Sequence, residues 1–267
     1  MASARDLIES SGIDASEARS LLAFVLDAKR EALIARPQQP VTPDGVARFR
    51  DLCARRARGE PVAYLLGQRE FFGRLFRVDR SVLIPRPETE CLVEAALRQM
   101  QGIFAPRVLD LGTGSGCIAI TLALERPDAQ VWAIDVSRSA LEVARRNAAA
   151  LSASVAFLCG CWFAPLRGRF ELIVANPPYV ASGDPHLEEL SYEPREALTD
   201  GADGMSNLVQ IARDAPKHLA TGGALLLEHG YNQGRAVRKL MASSGFDSTH
   251  TLQDLAGIER VCVGRIN

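Results

Sequence analysis

The chain has 267 residues, long for one small domain and suited to a main domain with a smaller companion. Hydrophobic residues make up 47% and charged residues 24%, which permits a sizeable core and argues against a long disordered segment. The formal net charge of −1 lacks the basic excess of a large duplex-binding surface. Six cysteines occur without a Cys-x-x-Cys pair, so metal-site spacing is missing and no metal is expected. No apolar run reaches the roughly 18 residues of a membrane span, and residues 1–30 hold no signal-type stretch. A cytoplasmic protein with reduced thiols and no membrane partner is expected.

In chain order, Asp14-Ala15-Ser16-Glu17 reads as a capping box ahead of Leu21, Leu22, Val25 and Leu26. Leu33 and Ile34 mark a shorter helix that stops before Pro37. Thr42-Pro43 starts another, expected to end at Gly59. Residues 1–59 are therefore predicted to be a small helical domain. Glu70–Phe72 and Leu75–Val78 flank Gly73-Arg74 and predict a hairpin; with Pro85 and Pro87, residues 60–87 read as a linker. Strand and helix then alternate. Strands are predicted at Val108–Leu111, Val131–Ile134, Val155–Leu158, Leu172–Ala175, Ala224–Leu227, Thr249–Leu252 and Val261–Arg265. Helices are predicted at Ile118–Leu124, from Ser137 through Asn147, around Leu208–Leu219 and from Gly234 to Met241, with a polar stretch at 181–204. This alternation implies an α/β domain over 88–267, Rossmann-like, with a seven-stranded, mostly parallel sheet.

Asp110-Leu111-Gly112-Thr113-Gly114-Ser115-Gly116 lies between the first strand and its helix. Glycines allow a sharp turn and close approach of a ligand, and the helix start is expected to offer free N–H groups to an anion such as a carboxylate. Asp135 ends the next strand, where an acid can accept hydrogen bonds from a ribose. A dinucleotide fingerprint needs its third glycine where Cys117 stands. Gly-x-Gly-x-Gly after an acid resembles instead the first motif of Rossmann-like methyltransferases, which hold S-adenosylmethionine there.

Asn176-Pro177-Pro178-Tyr179 follows the strand Leu172–Ala175 at the sheet edge where ligands bind. An amide or aniline-like nitrogen is a poor nucleophile, because its lone pair is delocalised. Acceptors on its two N–H groups would raise electron density on nitrogen and aim the lone pair at a methyl donor. The Asn176 side-chain oxygen can take one such bond and the Pro177 carbonyl the other, with the two prolines stiffening the backbone. Tyr179 offers a flat face for a planar group. A sulfonium supplies the leaving group, so positioning is the protein's main task.

Together with Pro61–Gly67, Leu83–Glu90 and Leu225–Gly230, these motifs make the sequence similar to the peptide chain release factor glutamine methyltransferases, from about Pro61 to Arg265. The resemblance implies N5-methylation of the glutamine in the Gly-Gly-Gln loop of release factors, with S-adenosyl-L-methionine converted to S-adenosyl-L-homocysteine. It implies that Gly112, Thr113, Gly114, Ser115 and Gly116 line the cofactor, that Asp135 holds its ribose, and that Trp162 lies beside the adenine. Asn176 would bind the substrate amide near the sulfonium, with Pro177, Pro178 and Tyr179 completing the catalytic site. The helical domain and hairpin would help to grip the protein substrate, by a chain expected to be a monomer with no stable nucleic-acid partner. The Pro87-Glu88-Thr89-Glu90 form favours the release-factor branch over relatives that methylate a ribosomal protein.

One departure stands out. The family often has an acid just before the aromatic residue at the adenine, whereas this chain has Cys161-Trp162-Phe163. A thiol accepts hydrogen bonds weakly, which predicts weaker cofactor binding. Two rivals stay open. Adenine-N6 methylation of nucleic acid would use the same Asn-Pro-Pro-Tyr chemistry but should need a basic groove. A non-catalytic cofactor-binding protein would keep the glycine loop without needing Asn176. His186 reads as a solvated loop residue. Glu228-His229, at the ligand edge of the sheet, leaves room for a supporting role.

Overall fold

Ser3 and Asp6 cap one another reciprocally and open α1, Ala4–Glu9. Four further helices follow: α2 (Ala15–Val25), α3 (Arg30–Ala35), α4 (Pro43–Ala57) and α5 (Val62–Leu66). This is a computed structural model and it describes residues 2–267; the chain divides into two units, Met1–Gln68 and Arg69–Asn267. Asp14 caps α2 through the backbone N–H groups of Ser16 and Glu17. The Glu17 side chain does not complete the expected capping box; it forms a two-pronged ion pair with Arg56 of α4. Leu7, Leu21, Leu22, Leu33, Phe49 and Leu52 bury their side chains in a core belonging to this unit.

The hairpin pairs β1 (Gln68–Phe71) with β2 (Arg74–Arg77). Phe72 and Gly73 both have positive φ, the twist a two-residue hairpin turn requires. Beyond the prolines lies α6, Glu90–Gln99. Then come β3 (Arg107–Leu111), α7 (Cys117–Glu125), β4 (Gln130–Asp135), α8 (Arg138–Leu151), β5 (Ala156–Cys159) and β6 (Phe170–Ala175). The chain closes with α9 (His186–Glu189), α10 (Ser206–His218), β7 (Leu219–Glu228), α11 (Gly234–Ser243), β8 (Ser248–Gln253) and β9 (Glu259–Arg265).

Seven strands form one sheet in the order β5-β4-β3-β6-β7-β9-β8, in which β9 runs antiparallel to both its neighbours and the other pairings are parallel. The mostly parallel Rossmann-like sheet is thus present. Side chains alternate between its faces as the strand period demands. Val108, Val131, Leu172, Val174 and Leu226 pack with Leu92, Val93, Ala96 and Ile120 on one face. Leu109, Leu111, Ile134, Ile173 and Leu225 pack with Leu208, Ile211, Val237 and Met241 on the other. From β3 the chain winds outward through β4 and β5, then returns to β3's other side as β6. That reversal opens a crevice at the C-terminal ends of β3, β4 and β6.

Three differences from the sequence reading matter. α6 falls where only a linker and a domain start were expected; its buried Leu92, Val93 and Ala96, with Met100 at the C-cap, follow helical spacing. β7 begins at Leu219, not Ala224, and absorbs Gly222-Gly223 across a register irregularity opposite Phe170–Leu172. The polar stretch at 181–204 is ordered by Asp200, whose carboxylate accepts from the backbone of Ala202, Gly204 and Ser206. No helix among the described residues is long and apolar enough to cross a membrane.

Candidate active site

The crevice holds a cavity of about 300 Å³. The glycine loop enters it from β3. Gly112 and Thr113 both donate their N–H groups to the Ile134 carbonyl at 2.9 Å, and Gly114 donates to Asp135 Oδ2 at 2.8 Å. β4 thus takes up the amides of these three positions, which precede the helix start. Gly112 has φ +73, and a Cβ there would come within 3.5 Å of the Trp162 ring. Gly114 faces open space. Gly116 starts α7 with φ +83, and a Cβ there would meet Ile120 and Ala144. Gly112 and Gly114 line the cavity, whereas Thr113, Ser115 and Gly116 lie outside its lining. The Thr113 hydroxyl donates to Asp110 Oδ2 at 2.6 Å, and the Ser115 carbonyl accepts from buried Asn147 at 2.8 Å. These three residues shape the turn.

Asp135 ends β4 in the cavity wall. Its second carboxylate oxygen accepts from the Ser137 N–H at 2.9 Å, and Ser137 in turn caps α8. Burial raises its pKa against the pull of those backbone bonds. Asp110, fully buried behind the loop, is pushed up to about 7 by desolvation, and its Oδ1 has no partner among the described residues. Cys161 and Trp162 line the cavity from the turn after β5. Trp162 sits at φ +46, a left-handed conformation that costs a bulky side chain roughly 1–2 kcal/mol. Such strain persists only where surrounding structure enforces it. Asp135, Glu196 and Asp200 make the lining acidic, and it contains no Lys or Arg among the described residues.

Asn176, at the end of β6, lines the cavity with Pro178, while Pro177 and Tyr179 do not. The motif's backbone is held by side chains from elsewhere. Asn207 donates to the Pro178 carbonyl at 3.0 Å, and Gln233 donates to the Tyr179 carbonyl at 3.1 Å. Asn176 Nδ2 donates to Thr89 Oγ1 at 3.1 Å. The Tyr179 hydroxyl donates to Glu228 Oε1 at 3.4 Å, and burial raises the tyrosine's pKa.

The sequence reading missed the far wall. Ser81, Val82 and Leu83 face Pro194, Glu196, Ala197, Thr199 and Asp200 across the cavity. Glu193 ties the two segments together: its carboxylate accepts from the Ile84 N–H at 2.9 Å and pairs with Arg86 at 2.5 Å. Glu193 is 5% exposed. Nothing in the sequence marks Glu193 as buried or points to partners so distant along the chain.

Fold and site together define a methyltransferase: the model of the methyltransferase small domain matches residues 88–253, and that of the PrmC N-terminal domain matches residues 1–67. The release factor glutamine methyltransferase of Burkholderia pseudomallei (strain K96243) is 50% identical over 99% of this chain and 96% of that protein. That of Bordetella pertussis (strain Tohama I) is 50% identical over 97% and 98%. The chain belongs to the release factor glutamine methyltransferase family. In fold it is also like a 16S rRNA N2 G1207 methyltransferase of T. thermophilus, solved in complex with AdoMet and guanosine. That likeness has a TM-score of 0.55 at 21% identity and covers 75% of this chain and 50% of that one.

Proposed function

We propose that this chain transfers a methyl group from S-adenosylmethionine to the side-chain nitrogen of the glutamine in the Gly-Gly-Gln loop of release factors. The observation that carries the reading is Asn176 at the cavity edge, with its side-chain NH2 group engaged by Thr89 and its oxygen left for an acceptor amide. The cavity's chemistry fits the cofactor. A sulfonium and an ammonium suit a lining with, among the described residues, three carboxylates and no basic side chain, whereas a dinucleotide's phosphates would meet repulsion there. Asp135 would accept from the ribose hydroxyls and Trp162 would flank the adenine. Gly112 and Gly114 would let the cofactor approach the backbone, around a turn shaped by Thr113, Ser115 and Gly116. When bound, the cofactor supplies an electrophilic methyl group with a neutral thioether as leaving group.

The chain's own work is alignment. Asn176 Oδ1 would accept one N–H of the substrate amide, and the Pro177 carbonyl the other. The carbonyls of Pro178 and Tyr179 are already used. Holding the acceptor in this way converts a bimolecular encounter into a positioned displacement. The nitrogen then sheds its proton to solvent once methylated, so no dedicated base is required. Tyr179 would back the substrate group. The helical unit would contribute to recognition of the protein substrate in the cytoplasm.

Purified release factor, its Gln→Ala loop variant, ribosomal protein and DNA, each offered with labelled S-adenosylmethionine, test the assignment. Label should enter intact release factor alone. Label on DNA without label on release factor overturns the reading in favour of an adenine methyltransferase.

A further inference from the structure

An asparagine side chain has two nearly isosteric orientations, and only one presents its oxygen to an acceptor amide. What selects it in this chain lies behind the cavity. Thr89 is 2% exposed, and its Oγ1 accepts from Asn176 Nδ2 at 3.1 Å. A hydroxyl can also donate, so Thr89 alone would tolerate either orientation. Its own proton, however, goes to Glu228 Oε1 at 3.3 Å, an oxygen that also receives the Tyr179 hydroxyl at 3.4 Å. Glu228 is 1% exposed at the end of β7. With that oxygen accepting from two hydroxyls, and a carboxyl proton carried on Oε2, which has no partner among the described residues, Thr89 turns its lone pairs to Asn176, and only the NH2 end matches. The flipped amide would set oxygen against oxygen in a partly buried site and leave both without a donor. Thr89, Tyr179 and Glu228 do not line the cavity. Thr89 and Glu228 reach the acceptor only through Asn176.

We propose that Thr89 and Glu228 are positioning residues that lock the Asn176 side chain with its carbonyl oxygen toward the methyl acceptor. The proposal rests on the reading of Asn176 as the holder of the acceptor nitrogen. It assigns a purpose to two buried polar residues, one following Pro87-Glu88 and the other ending a strand on the far side of β6.

Thr89→Val keeps the volume and removes the hydroxyl. Its kcat on release factor should fall about 100-fold, with KM and calorimetric cofactor affinity within about threefold of the parent. Thr89→Ser should restore kcat to within about threefold. Hydrogen exchange of the Asn176 side-chain NH2 gives a second readout, its NMR signals assigned by their loss in Asn176→Ala. Exchange should be about tenfold or more faster in Thr89→Val, as expected for a lost hydrogen bond of about 1.4 kcal/mol. Parental kcat, parental exchange or failure of the serine variant to recover would each overturn the proposal. If the parent itself does not methylate release factor, the functional reading fails, and the exchange comparison still decides whether Thr89 holds the amide.

Discussion

At Cys161 the site departs from what an adenine amino group would choose. The thiol lines the cavity beside Trp162, and no other cysteine does. A carboxylate accepts a hydrogen bond from an exocyclic amine far better than a thiol does. Cys161→Asp is therefore expected to tighten S-adenosylmethionine binding about 3- to 10-fold by titration calorimetry, the gain of roughly one hydrogen bond. The opposing effect is one more negative charge near Asp135, Glu196 and Asp200. Because the cofactor is cationic, that charge should assist and not oppose. Unchanged or weaker binding contradicts the placement of adenine at Cys161. The residue types at Gly112, Asp135, Trp162 and Asn176 were legible in the sequence because each motif ends a strand at the sheet's ligand edge. Thr89 and Glu228 were not legible as partners, since a hydrogen bond across 139 residues of chain leaves no local pattern.

Among elements, the segment between β6 and α10 shows how a stretch without periodicity becomes ordered. Asp200 caps three backbone N–H groups, Val180 pairs with Thr199 in an isolated bridge, and Gln233 reaches the carbonyls of both Tyr179 and Gly204. Gly204 stands at φ +80 against this framework, and a Cβ there would collide with the Tyr179 carbonyl oxygen. The obstacle is backbone, which cannot rotate away. Gly204→Ala is expected to cost about 2 kcal/mol or more and to lower Tm by about 4–8 °C. A melting curve matching the parent would contradict the account. Sequence periodicity found the alternating strands and most helices, since buried runs and caps are local signals. It overlooked α6, where Pro85 and Pro87 drew attention away from Leu92, Val93 and Ala96. It also started β7 too late, because Gly222-Gly223 reads as a turn until a neighbouring strand supplies its partners.

For the molecule as a whole, burying Asp110 and Glu228 carries a signature in pH. Desolvation pushes both carboxyls up to about 7 in the folded chain, against ordinary values of 3.8 and 4.5. For Glu228 the bonds from Thr89 and Tyr179 and the charge of Arg260 pull down, while Glu88 pushes up. Between about pH 4.5 and 7 the folded state therefore binds more protons than the unfolded one, so these groups make stability fall as pH rises. Glu228→Gln removes one of the two contributions. The Tm of the variant relative to the parent should climb across that window and level off above it. A difference independent of pH, or one shrinking as pH rises, contradicts a carboxyl buried largely in its neutral form.

The central claim concerns where the methyl group goes. Release factor incubated with the enzyme and S-adenosylmethionine, then cleaved and sequenced by tandem mass spectrometry, locates the added methyl group directly. The account requires it on the side-chain nitrogen of the Gly-Gly-Gln glutamine, dependent on Asn176 and absent after Asn176→Ala. A methyl group on any other residue, or the same modification with Asn176 replaced, would contradict it.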